Sequence, residues 1–114
     1  MKVRVTAKQI KSSFSNIICI GYCDLSYLLD KFNANYYTCG VYGWNSDIHI
    51  INNNTCVVTG YRPFGNIHPN YETVRKYNKA AEKINSWENK NSYENKKKQL
   101  EKLLNDFIKE VTQK

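Results

Sequence analysis

The alternation of apolar and polar positions changes period along this chain. From Tyr36 to Asn66 the sequence reads YYTCGVYGWNSDIHIINNNTCVVTGYRPFGN, and within it two short apolar runs, Asp47 to Ile51 and Thr55 to Thr59, have period-2 character. Alternation bounded by Asn and Gly is the pattern of a half-buried antiparallel hairpin. The turn falls on Asn52-Asn53-Asn54, because asparagine tolerates positive φ. A third run, Tyr36 to Tyr42, precedes Gly43-Trp44-Asn45-Ser46 and extends the hairpin to a meander. The stretch ends in a loop, Gly60-Tyr61-Arg62-Pro63-Phe64-Gly65-Asn66.

Before this stretch the signals are short. Met1 to Val5 reads as a strand or a tail. Thr6-Ala7-Lys8-Gln9 matches a capping box that starts a brief helix, since Ser12 to Asn16 continues it poorly. The compact run Ile17 to Tyr22 is buried, as a strand or as a helical turn, which periodicity alone does not separate. Asp24 can cap a second helix, with Leu25, Leu28, Leu29 and Phe32 on one face.

After the loop the period becomes helical. Val74, Tyr77, Ala81 and Ile84 recur at three and four residues behind a start at Pro69-Asn70, and Trp87 closes the stripe. Glu88 to Asn91 reads as an interhelical loop. Ser92 can cap a last helix whose face is Leu100, Leu103, Leu104, Phe107 and Val111. That helix is too short for a convincing coiled coil. The expected architecture is a single α+β domain: a small antiparallel sheet of three strands or slightly more, short N-terminal helices and a C-terminal antiparallel helical pair.

Composition fits one globular domain, with 114 residues, 41% hydrophobic and 13% aromatic. The absence of a membrane-length apolar run and of a signal-peptide pattern leads to the expectation of a cytoplasmic protein with reduced thiols. Abundant Lys, Asn, Ile and Tyr fit an AT-rich genome. The net charge of +7 is uneven, because residues 61–114 hold twelve Lys/Arg and seven Asp/Glu, whereas residues 1–60 hold five and three. A basic protein favours nucleic acid, a ribonucleoprotein or an acidic protein face as partner. Lys76, Lys79, Lys83, Lys96, Lys97 and Lys98 are the candidate basic surface, against the plainer reading of a solvated helix face.

Cys19, Cys23, Cys39 and Cys56 with His49 and His68 are the candidate metal ligands. The C-x3-C spacing of Cys19 and Cys23 is looser than a zinc knuckle and no second knuckle follows, so no metal or other cofactor is expected. Cysteines within Ile18-Cys19-Ile20 and Cys56-Val57-Val58 suit a core. A Cys–His nucleophile pair needs hydrogen-bond reach and usually a third group to orient it, and two histidines with four cysteines allow so many nominal pairs that the signal is weak. The glycine-serine elbow, phosphate loop and zincin motifs are absent, so catalysis is not expected. Tyr42, Trp44 and Asn45 on one turn, and Tyr61, Arg62 and Phe64 on another, flank the hairpin. Such residues give large rigid contact area with a hydrogen-bonding handle, and they stack on unpaired bases. The plainer alternative is that Trp44 and Phe64 fold back as lids on the sheet.

The segments IICIGYCDLSYLL, CGVYGWNSDIHII and VVTGYRPFGNIHPNY, within roughly Thr6 to Tyr77, resemble those of small uncharacterised proteins in phages and mobile elements of low-GC Gram-positive bacteria. Short phage proteins of this size include anti-CRISPR proteins, which bind Cas effector complexes stoichiometrically. The resemblance implies a phage-derived inhibitor of a Cas effector and carries no catalytic residues, fold or site with it. A small nucleic-acid-binding protein and a zinc-stabilised binding module are the alternatives.

Overall fold

The computed structural model describes residues 3–21, 26–29, 36–39, 45–86 and 93–113. The fold is α+β, and the chain divides into two compact units: Met1–Cys23 with Phe32–Pro69, and Asp24–Lys31 with Asn70–Lys114.

The first unit is a sheet with one short helix. Its strands are β1 (Val3–Val5), β2 (Asn16–Gly21), β3 (Tyr36–Cys39), β4 (Asn45–Ile50) and β5 (Thr55–Gly60), with α1 (Ala7–Ser13) between the first two. The expected meander is present as β3-β4-β5, antiparallel throughout, with Ile48 opposite Val58 and Ile50 opposite Cys56. Asn52 makes the reversal, its Oδ1 accepting from the Asn54 N–H at 2.8 Å. Among the described residues, however, the sheet has five strands in the order β1-β3-β4-β5-β2 and is mixed, which corrects the antiparallel expectation. β1 lies parallel to β3 and β2 parallel to β5. Ile17, Ile18 and Ile20 are all buried, so β2 has no polar face, which is the pattern of a parallel strand covered on both sides. Local periodicity marks β2 as buried but does not say which strand it joins.

The predicted capping box forms: Thr6 Oγ1 accepts from the Gln9 N–H and Gln9 Oε1 accepts from the Thr6 N–H. It starts α1 so that Ala7, Ile10 and Phe14 share a stripe. Those residues close over one face of the sheet, packing with Ile17, Ile48, Cys56, Val58 and Phe64.

The second unit comprises α2 (Ser26–Leu29), α3 (Tyr71–Asn85) and α4 (Tyr93–Thr112). Asn70 caps α3 by accepting from the Glu72 N–H. α3 and α4 run antiparallel, as expected: Tyr77 meets Phe107 edge-on at 5.3 Å, and Lys96 near the other end donates to the Asn85 carbonyl. Val74, Ala81, Leu100, Leu104 and Phe107 are buried. α2 packs on both long helices with Leu28 and Leu29 buried. The expected caps at Asp24 and Ser92, and the loop from Glu88 to Asn91, lie outside the described residues. Among the described residues, no helix is long and apolar enough to cross a membrane.

Candidate functional site

The loop from Gly60 to Ile67 is where exposed contact residues meet a rigid base. β5 ends at Gly60, whose φ of 149° is one that side-chain-bearing residues rarely adopt. The chain then turns outward. Tyr61 is 73% exposed, the most open large hydrophobic side chain among the described residues, and Arg62 beside it is exposed too. Pro63 restricts the backbone after them. Phe64 then returns to the core at 7% exposure, with the Lys11 ammonium 5.9 Å from its ring centre. For Phe64 the structure takes the plainer alternative, a lid folded back on the sheet, and not the exposed contact beside Tyr61 and Arg62. An aromatic that would cost about 1.5–3 kcal/mol to leave in water is spent instead on pinning the loop.

The next three residues seal the edge of β2. The Asn66 and Ile67 N–H groups both donate to the Ile17 carbonyl, and the Cys19 N–H donates to the Ile67 carbonyl. Asn66 adds its side chain, with Oδ1 accepting from the Ile17 N–H at 2.9 Å and Nδ2 donating to the Ser15 carbonyl at 2.7 Å. Ile67 thereby forms a parallel bridge with Ile18. Gly65 is required by this close approach, since a Cβ there would stand 2.5 Å from the Ile17 carbonyl oxygen. An edge strand that would otherwise present open backbone groups is paired to its own chain.

The remaining expected contacts divide. Tyr42 and Trp44 lie outside the described residues. Asn45 opens β4, and the pairing of Ser46 with Gly60 puts Asn45 and Tyr61 at the same end of the sheet. Of the basic candidates, Lys79, Lys83, Lys97 and Lys98 are exposed on the helices. Lys76 is exposed too and pairs with Glu110 at 3.2 Å, whereas Lys96 is half-buried against the end of α3. Gly65 and Asn66 were not among the expected functional positions, although Gly-Asn is a turn signal; what it does not encode is that the turn reaches back to residue 17.

Among the described residues, the metal and nucleophile candidates form no ligand set. Cys19 and Cys56 are free thiols. Burial raises both pKa values, that of Cys56 to about 12, so each is a neutral thiol at physiological pH and a poor nucleophile. Cys39 pairs with Asn45, four residues along β4 from His49, or about 13 Å of strand. His68 is exposed and Cys23 lies outside the described residues. Among the described residues, no three His, Cys, Asp or Glu side chains converge as metal ligands.

Among these side chains, the arrangement offers a fixed platform with an aromatic and a guanidinium at its rim. Comparison with protein families, with curated proteins and with solved structures finds no match to the chain.

Proposed function

We propose that this chain is a non-catalytic interaction protein that grips a macromolecular partner through the Gly60–Ile67 loop, with Tyr61 and Arg62 as anchors. The observation that carries this reading is the 73% exposure of Tyr61 on a loop held at its base by Phe64, Gly65 and Asn66. Ordering a loop costs affinity, and here the backbone locks meet that cost before the partner arrives. Tyr and Arg are the residue types that concentrate binding energy at interfaces. The resemblance to small phage proteins makes a Cas effector ribonucleoprotein the partner to test first, with the chain acting as a stoichiometric inhibitor.

The test is titration of the purified chain into Cas effectors loaded with guide RNA, reading target cleavage and complex formation by size-exclusion chromatography. The expected result is loss of cleavage at one equivalent. Tyr61→Ala with Arg62→Ala should weaken binding by about 2–4 kcal/mol while the melting temperature changes little. Full inhibition by a folded double variant would remove the loop from the interface. Binding of none of the effectors would remove the anti-CRISPR assignment and leave the loop with a different partner.

A further inference from the structure

The α3–α4 hairpin carries its charge unevenly along its length. Its loop end, from residue 79 to residue 102, holds Lys79, Lys83, Lys96, Lys97, Lys98 and Lys102 among the described residues, against Glu82, Glu94 and Glu101. The opposite end is balanced among the described residues: Arg75, Lys76 and Lys109 stand against Glu72, Asp106 and Glu110, with Lys76 already paired to Glu110. Glu88 and Lys90, between the helices in sequence, cancel.

Geometry gathers part of this excess. Lys79 and Lys83 lie one turn apart, about 6 Å along α3, and Lys98 and Lys102 lie one turn apart on α4. Val74 and Ala81 are buried on α3 and Leu100, Leu104 and Phe107 on α4, so at 100° per residue these four lysines fall on the far side of each helix. α2 packs against both helices, which places both lysine rows on the side of the pair away from it. The contacts of Tyr77 with Phe107 and of Lys96 with Asn85 set the antiparallel alignment. At equal rise, Lys79 comes near the level of Lys102 and Lys83 near that of Lys98, on helices whose axes lie about 8–10 Å apart, with the outward-pointing lysines farther apart than the axes. All four are exposed, and none has an ion-pair partner among the described residues.

We propose that this end of the hairpin is a docking surface for the phosphodiester backbone of nucleic acid, contacted by Lys79, Lys83, Lys98 and Lys102. Lysine ammoniums on flexible stems suit phosphates as point charges, without base selectivity. A carboxylate-bearing protein face is the weaker fit. Protein interfaces concentrate their binding energy in aromatic and arginine anchors, whereas the four residues gathered here are all lysines. This surface goes beyond the loop reading and stands without it, because the residues belong to the other compact unit.

The experiment is fluorescence anisotropy with fluorescein-labelled 20-mers of mixed sequence, as duplex DNA, duplex RNA and single strands, titrated with the full chain from 50 to 200 mM NaCl. Duplex binding should weaken with salt, and Lys83→Gln with Lys98→Gln should reduce the log–log slope by about 2 and the affinity at 50 mM by about tenfold or more. Arg75→Gln with Lys109→Gln removes the same net charge from the balanced end and should change affinity by less than about threefold. Lys83→Arg with Lys98→Arg should bind like the unaltered chain, and circular dichroism checks that each variant is folded. Tyr61→Ala should leave this binding unchanged, so failure of the loop reading and failure of this one are separable. Equal losses from the two Gln pairs would reduce the effect to net charge and overturn the proposal. So would polyglutamate binding as tightly as the duplexes, or no binding of any probe at 50 mM NaCl.

Discussion

The Gly60–Ile67 loop and the α3–α4 hairpin both present residues suited to a partner, and they hold them by opposite means. The loop has no regular structure of its own and borrows order from the sheet: Phe64 enters the core, Asn66 and Ile67 bond to Ile17, and only Gly65 fits beneath. The hairpin holds its lysines on helices whose hydrogen bonds are internal and whose apolar stripes are buried elsewhere on the same elements. Contact and support are therefore different residues in the hairpin, whereas in the loop they are neighbours in sequence. A change at the base of the loop should harm fold and binding together. A change to an exposed hairpin lysine should alter binding alone.

The hairpin's half of this contrast depends on its core, and the largest effect should come from there. Phe107 is fully buried and carries the edge contact to Tyr77, so Phe107→Ala should lower stability by about 3–5 kcal/mol in urea unfolding followed by circular dichroism. Leu104→Ala belongs in the same class, while Leu103 is only half-buried and should cost less. A Phe107→Ala chain as stable as the original would mean that the helices hold together by something other than this stripe.

The loop's half is tested at Gly65. Gly65→Ala forces a methyl group to within 2.5 Å of the Ile17 carbonyl unless the backbone moves, and overpacking of this kind costs about 1–3 kcal/mol. Amide exchange locates the damage: the Cys19 N–H, bonded to the Ile67 carbonyl at 2.9 Å, should lose protection while the β4–β5 amides keep theirs. Asn66→Ala removes one side-chain acceptor and one donor at a partly exposed site, and about 1 kcal/mol is expected. If both variants keep the edge protected, the loop does not depend on its base and the distinction from the hairpin disappears.

What was legible in the sequence follows the range of the forces involved. The capping box at Thr6 and Gln9, the Asn52 turn and the α3 start at Asn70 are encoded within three or four residues and form as read. The stripes of α3 and α4 also formed, with Val74 and Ala81 buried on one and Leu100, Leu104 and Phe107 on the other, because burial repeats with the helical period. The parallel pairing of β2 with β5 was not legible: it joins Asn16 to Thr55 across most of the first unit, and no local pattern specifies a partner that distant. The same limit hid the site. Tyr61 and Arg62 could be singled out by residue type, but the burial of Phe64 and the reach of Asn66 to Ile17 depend on β2 lying alongside β5.

The smallest effect should come from a surface ion pair that ties α3 to α4. Lys76 Nζ and the Tyr77 hydroxyl both donate to Glu110 Oε1, at 3.2 and 3.1 Å. The Lys76 bond first, and the Tyr77 bond second, hold the Glu110 carboxyl below its ordinary 4.5. A carboxylate whose pKa is depressed by folding contributes stability above its unfolded pKa and loses that contribution as pH falls through the folded value. Tyr77 titrates in the opposite sense. Burial first, and its bond to Glu110 second, raise the phenol above 10.0, so its contribution is present below that pH and is lost as the pH climbs through the folded value. Glu110→Gln should therefore lower the melting temperature slightly at neutral pH, and the difference should shrink in acid below about pH 4 and again in alkali above about pH 10. Both partners are well exposed, so 0.5 M NaCl should erase most of the difference. A large, salt-independent loss in Glu110→Gln would show that the hairpin, like the loop, relies on polar locks, and would draw the two regions closer together.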